Sequence, residues 1–183
     1  LTAFLSKDKD FTTDENVVTL YVPENTKFQN ATLNSALGNI LLNHVCFESG
    51  TVSSGDGDIF IKNSTLKEVA VSASLGDVKT YDSKIKTCNF VLSDGDFTAK
   101  NNEFTGETLI NNDLGNIEVQ GSKKQWSSLG VDASTDLGDI EVSETLEGTL
   151  KEKDSDESEY QRSGKNGKVK LHAEDGDITM KCN

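Results

Sequence analysis

Apolar and polar residues alternate along this chain in short bursts, and the bursts return at an almost constant interval. Each opens on a glycine followed by Asp or Asn and then an aliphatic-x-aliphatic pair, as in Gly57-Asp58-Ile59-Phe60-Ile61. The glycines are Gly38, Gly57, Gly76, Gly95, Gly115, Gly138 and Gly176, spaced 19, 19, 19, 20, 23 and 38 residues apart. Strand-type alternation at a fixed period of this size predicts a stacked solenoid in which each repeat is one turn. The expected fold is therefore all-β, a single-domain right-handed β-helix of about seven turns of roughly 19 residues.

Aligning the repeats gives columns of like side chains. Two residues after the glycine stand Ile40, Ile59, Val78 and Phe97, and four after it Leu42, Ile61, Thr80 and Ala99. Nine after it stand Phe47, Leu66, Ile85 and Phe104, and fourteen after it Val52, Val71, Phe90 and Leu109. These columns are read as the inward face, each side chain stacking on its equivalent about 4.8 Å away. Glycine suits the bend because it accepts positive φ, and the adjoining Asx side chain can bond amides left free there. The position before the glycine holds Leu37, Leu75, Leu114 and Leu137 or Asp56, Asp94 and Asp175, a pattern the repeat alone does not explain.

Residues 1–16 are aperiodic and are expected to cap the open end of the stack. Residues 17–37 form an irregular first turn, opening on the alternating segment 18–22 and Pro23, and residues 38–114 form the regular turns. Residues 115–183 are irregular, with a widened turn at 122–129 and a polar insertion at 151–167 that reads as an exposed loop or, alternatively, a degenerate extra turn. A stack ending at 178–180 would leave a strand edge to be covered.

Composition narrows the functions. With 34% hydrophobic and 7% aromatic residues the core must be thin, and a net charge of −13 disfavours nucleic acid and anionic membranes. No apolar run in these residues is long enough to span a membrane, and none follows a charged stretch in the pattern of a signal segment. The chain begins at Leu1 without methionine and is read as a portion of a longer product. Cys46, Cys88 and Cys182 fall in different columns and are expected as free thiols.

Among candidate chemistries, the column Asn39, Asp58, Asp77, Asp96, Asn116, Asp139 and Asp177 stands out. Stacked carboxylates such as Asp58, Asp77, Asp96 and Asp139 could bind calcium, or serve a polysaccharide-active enzyme as paired acids. The simpler reading is that they satisfy turn amides, since Asn replaces Asp twice; no cofactor is expected. Glu152, Asp154, Asp156, Glu157 and Glu159 read as a solvated charge run. His44 and His172 occupy different columns and form neither a metal cluster nor a triad. Trp126 and Tyr160 lie where the repetition fails and mark a possible ligand or partner surface.

The segment VVTLYVPENTKF followed by serial L-G-N-I, D-G-D-I-F-I, L-G-D-V and D-G-D-F phrases resembles the bacterial DUF4097 family, also known as an adhesin family, from about Val17 to Asn183. The resemblance implies a β-helical, envelope-associated protein and supplies no catalytic residues. The functional expectation is a non-enzymatic binding or structural module at a bacterial cell surface, engaging a protein or glycan. A polysaccharide-active enzyme, or a sensory or scaffold domain of a membrane-anchored regulator, are the alternatives.

Overall fold

Between one glycine and the next the chain bends three times. The glycine makes the first bend. Six residues on, His44, Asn63, Asp82 and Asn101 take left-handed φ of 56°, 50°, 47° and 57°; eleven residues on, Glu68, Thr87 and Gly106 do the same at 46°, 54° and 69°. Asn, Asp and His tolerate this conformation better than most residues, so a second bend falls where the sequence permits it. The computed structural model describes residues 22, 23, 26–152 and 157–183. The cap expected over 1–16, the alternating segment through Tyr21, and Asp154 and Asp156 lie outside them.

In chain order, β1 (Lys27–Phe28) and β2 (Ala31–Leu37) lead into the first regular coil, β3 (Ile40–Asn43), β4 (Cys46–Phe47) and β5 (Gly50–Asp56). The next two coils hold β6 (Ile59–Lys62), β7 (Thr65–Lys67) and β8 (Val69–Leu75), then β9 (Val78–Tyr81), β10 (Lys84–Lys86) and β11 (Asn89–Asp94). In the fourth, β12 (Phe97–Lys100) precedes one long strand, β13 (Glu103–Leu114). After it come β14 (Ile117–Gly121), the short helix α1 (Lys123–Trp126), β15 (Leu129–Leu137) and β16 (Ile140–Val142). The chain finishes with β17 (Thr149–Glu152), β18 (Ser158–Arg162), β19 (Gly167–Asp175) and β20 (Ile178–Cys182).

The coils stack in parallel register, with Ile40 on Ile59, Ile59 on Val78, Val78 on Phe97 and Phe97 on Ile117. This is the expected β-solenoid. Ile59, Ile61, Leu66, Ile85, Phe90 and Phe97 are fully buried, and Phe90 meets Phe97 edge-on with ring centres 5.1 Å apart. Each such side chain is worth about 1.5–3 kcal/mol of transfer free energy, gained only when the neighbouring coil is in place. Cys46, Cys88 and Cys182 are free thiols, with Cys88 buried.

The stacking order departs from the chain order at one point. The sheet that follows the glycine bend runs β16-β20-β14-β12-β9-β6-β3. The last coil, β19 and β20, thus slides between its predecessors: β19 pairs with β13 on one side and β15 on the other, and β20 with β14 and β16. The expectation of an exposed final strand at 178–180 is therefore corrected, since β20 is interior.

Three further expectations change. Residues 151–167 are not a plain loop: β17 and β18 form an antiparallel hairpin, and β18 pairs antiparallel with β15 over the end of the stack. Ser158 and Tyr160 point inward while Glu157, Glu159 and Gln161 do not, a period of two masked by the surrounding charge. The inward residue of the fourth coil is Ile110, not Leu109, because Gly106 to Thr108 face only Thr87 and Cys88 across the ladder and the extra residue shifts the register by one. The widened turn at 122–129 holds α1, started by a capping box of Ser122 and Gln125.

The glycine bend is also a place of close backbone approach. A Cβ added to Gly76 would lie 2.6 Å from the Gly57 carbonyl oxygen, whereas one on Gly38, at the end of the stack, meets nothing within 4 Å. Both take positive φ, +133° and +107°. Gly38→Ala is expected to cost about 1–3 kcal/mol from backbone strain alone. Gly76→Ala adds a backbone clash and should cost clearly more in urea unfolding; equal losses at the two sites would contradict the close-approach account.

Candidate functional site

The glycine bend gathers the polar residues singled out in the sequence. Except at Asp139, the last in spatial order, the Oδ1 atom of each Asx side chain accepts a hydrogen bond from the backbone N–H of its equivalent one rung on. Asp58 N–H donates to Asn39 at 2.8 Å, Asp77 to Asp58 at 2.9 Å, Asp96 to Asp77 at 2.9 Å and Asn116 to Asp96 at 2.8 Å. The ladder then follows the spatial order, with Asp177 donating to Asn116 and Asp139 to Asp177, both at 2.9 Å. Asn serves here as well as Asp because only one oxygen is needed. The amide that is satisfied belongs to the next coil, a relation the sequence alone does not reveal.

Asp77 carries a second contact, from the Lys79 ammonium at 2.7 Å. Burial alone would raise its carboxyl, but the bonds from Lys79 and the Asp96 N–H outweigh it and hold Asp77 below the usual aspartate range. Among the described residues, no group of three His, Cys, Asp or Glu is arranged to hold a metal ion. In Asp58, Asp77 and Asp96 one oxygen of each carboxylate is already engaged by an amide.

A second ladder, unseen in the sequence, runs the other way along the next bend. The N–H of Val45 donates to Ser64 Oγ, that of Ser64 to Ser83 Oγ and that of Ser83 to Asn102 Oδ1, at 3.2, 3.1 and 2.9 Å. The signal was present as a small polar residue seven positions after Gly57, Gly76 and Gly95, at Ser64, Ser83 and Asn102.

Trp126 and Tyr160, expected as a surface, are buried at 3% exposure each. The Trp126 Nε1–H donates to the Lys181 carbonyl at 3.0 Å, and the Tyr160 hydroxyl to the Glu147 carbonyl at 3.1 Å. They anchor α1 and the hairpin to the last coils, so amphipathic rings that suit ligand stacking are spent on packing. Burial holds the Tyr160 hydroxyl above the usual phenol range, with Arg162 opposing it weakly.

The intercalated coil fits its slot electrostatically. Lys168 pairs with Asp132 and Lys170 with Glu107, both at 3.0 Å, and Lys181 with Glu118 at 2.9 Å. Glu118 also meets Lys100 at 3.4 Å, and the bond from Lys181 leads the influences that hold its carboxyl below the usual range. His172, which sequence reasoning left alone, is brought beside Ser134, with Oγ and Nδ1 3.1 Å apart. The two border a shallow groove of about 380 Å³ with Asn111, Glu159 and Lys170. A larger groove of about 480 Å³ lies beside Arg162, Gly164 and Lys168. His44 stays apart, on the bend after β3.

Asp77→Ala removes both contacts and leaves the exposed Asp96 amide to water, so a loss of about 0.5–1.5 kcal/mol is expected. Asp77→Asn keeps the ladder and should cost under about 1 kcal/mol. A carboxylate with a depressed folded pKa stabilises above its unfolded value, near pH 4, and that contribution fades as pH falls through the folded value. Asp77→Asn should therefore flatten the acid side of the stability profile; an unchanged profile, or equal losses in the two variants, would contradict the ladder's role.

With this geometry in hand, comparisons place the chain. A crystal structure described as that of a "putative cell adhesion protein" from Clostridium sporogenes matches 85% of this chain and 93% of its own, at 12% identity and a TM-score of 0.45. No curated protein matches the chain in sequence. The model of the family described as Toastrack DUF4097 matches residues 6–181, nearly the full length, and the chain belongs to that family.

Proposed function

We propose that this chain is a non-enzymatic binding and structural module acting at a bacterial cell surface or envelope, where it engages a protein or glycan. The observation that carries this reading is the seven-stranded, in-register parallel sheet beside the glycine bends. Six steps of about 4.8 Å give a straight, repeating surface roughly 29 Å long, suited to an extended ligand. The ladder supports the same reading from the other side, since the Asp58, Asp77 and Asp96 carboxylates that could have served polysaccharide cleavage hold coil to coil. Calcium is kept as a proposal only for the second oxygens of Asp58 and Asp96 and for the Asp139 carboxylate, since Lys79 already holds the second oxygen of Asp77. No helix among the described residues is long and apolar enough to cross a membrane.

The test immobilises the chain and challenges it with a glycan array and with envelope protein extracts, while reducing-sugar release is followed in parallel. Saturable retention without sugar release is the expected result. Release that disappears in Asp139→Asn would overturn the reading in favour of an enzyme, and no retention from either source would overturn the binding role.

A further inference from the structure

The residues before the glycines, irregular in chain order, become regular in space. Following the strand register, Leu37 lies beside Asp56, Asp56 beside Leu75, Leu75 beside Asp94 and Asp94 beside Leu114. The intercalated coil then sets Asp175 between Leu114 and Leu137. The column reads Leu-Asp-Leu-Asp-Leu-Asp-Leu along the stack. Its leucines are 79%, 53%, 50% and 54% exposed, and account for four of the seven large apolar side chains exposed among the described residues. The carboxylates of Asp56, Asp94 and Asp175 are exposed and have no ion-pair partner among the described residues.

Charge spacing does not account for the alternation. Two columns away, across the glycine, Asp58, Asp77 and Asp96 occupy adjacent rungs, so neighbouring carboxylates are tolerated at this bend. Serine or threonine would separate the charges as well without standing leucines in water. The bend is also one-signed: from two residues before each glycine to one after, the seven corners hold eleven Asp or Glu and no Lys or Arg. Lysines elsewhere pair with carboxylates on the faces, save Lys79, which reaches back to Asp77 beside the ridge.

We propose that this ridge is a docking site for an extended, basic polyproline II segment of another protein, and the proposal rests on the binding role given above. Like-signed carboxylates call for a cationic partner, and intervening leucines call for apolar groups between its charges. The period selects the conformation. Two rungs span about 9.6 Å. A polyproline II helix brings every third residue back to one side after about 9.3 Å, so three repeats drift by only about 1 Å along the ridge. A β-strand turns every third residue to alternate faces, and two turns of α-helix span about 10.8 Å and lose register sooner. The ridge carries no aromatic ring, which disfavours a glycan.

The test titrates the whole chain with the peptide (Lys-Pro-Pro)4 and with (Lys-Pro-Pro-Pro)4, which has the same charge and the wrong period. The first is expected to bind about tenfold tighter, with an affinity that falls as salt rises. Leu75→Ser with Leu114→Ser should remove that preference, and Asp94→Asn with Asp175→Asn should weaken binding and its salt dependence, each variant keeping the parent's unfolding midpoint within a few degrees. Equal binding of the two peptides, or variants that bind like the parent, would overturn the proposal. So would loss of an oligosaccharide, instead of the peptide, from the ridge variants. Envelope retention that survives in the ridge variants would sink this docking site and leave the binding role standing. Peptide binding without any envelope retention would do the reverse.

Discussion

The glycine bend lets one coil lie directly on the next, and the rest of the structure depends on that approach. At Gly76 the neighbouring carbonyl oxygen stands where a side chain would begin, so the two backbones meet without an intervening Cβ. That closeness puts each coil's amide within reach of the Asx side chain of the coil before it. The same spacing brings Ile59 onto Val78 and Val78 onto Phe97. Apolar burial supplies most of the cohesion, whereas the bend fixes the register in which it is collected. A one-residue slip would turn Ile59 and Ile61 to solvent, and it would break every rung of the ladder as well.

The last coil shows how far register can be separated from chain order. Its strands β19 and β20 enter a gap bounded by β13 and β14 on one side and β15 and β16 on the other, and three lysines meet carboxylates on the flanking coils. Those exposed pairs are individually worth little. Their effect is selective, since Lys168, Lys170 and Lys181 face Asp132, Glu107 and Glu118 only when the coil is seated between them. The hairpin of β17 and β18 then covers β15, which would otherwise end the sheet as an unpaired edge.

The repeat, most of the inward columns and the need for an Asx side chain at the bend were legible in the sequence, because each follows from spacing along a single chain. What was not legible depended on neighbours far apart in that chain. Leu109 was placed inward by counting from the glycine behind it; counting back from Gly115 finds Ile110, and only the pairing across Gly106 shows which count holds. Trp126 and Tyr160 looked like surface residues because they interrupt the repeat, yet interruptions that cap a stack must be packed onto it. The alternation of leucine and aspartate was hidden for the same reason, since Leu137 follows Leu114 in the chain and Asp175 separates them only in space. His172 meets Ser134 by that same insertion.

The order of the coils is the claim on which the ridge, the ladder and the closing lysines all rest, and cysteine cross-linking tests it directly. Thr179 pairs across the sheet with both Glu118 and Glu141, which leaves each glutamate one rung from it and the two glutamates two rungs from each other. In a chain whose native cysteines are replaced by serine or alanine, Glu118→Cys with Thr179→Cys should form a disulfide readily, because adjacent strands lie about 4.8 Å apart, within disulfide reach. Glu118→Cys with Glu141→Cys, about 9.6 Å apart, should not. Rapid bridging of the second pair, with none of the first, would show coils stacked in chain order and contradict the account.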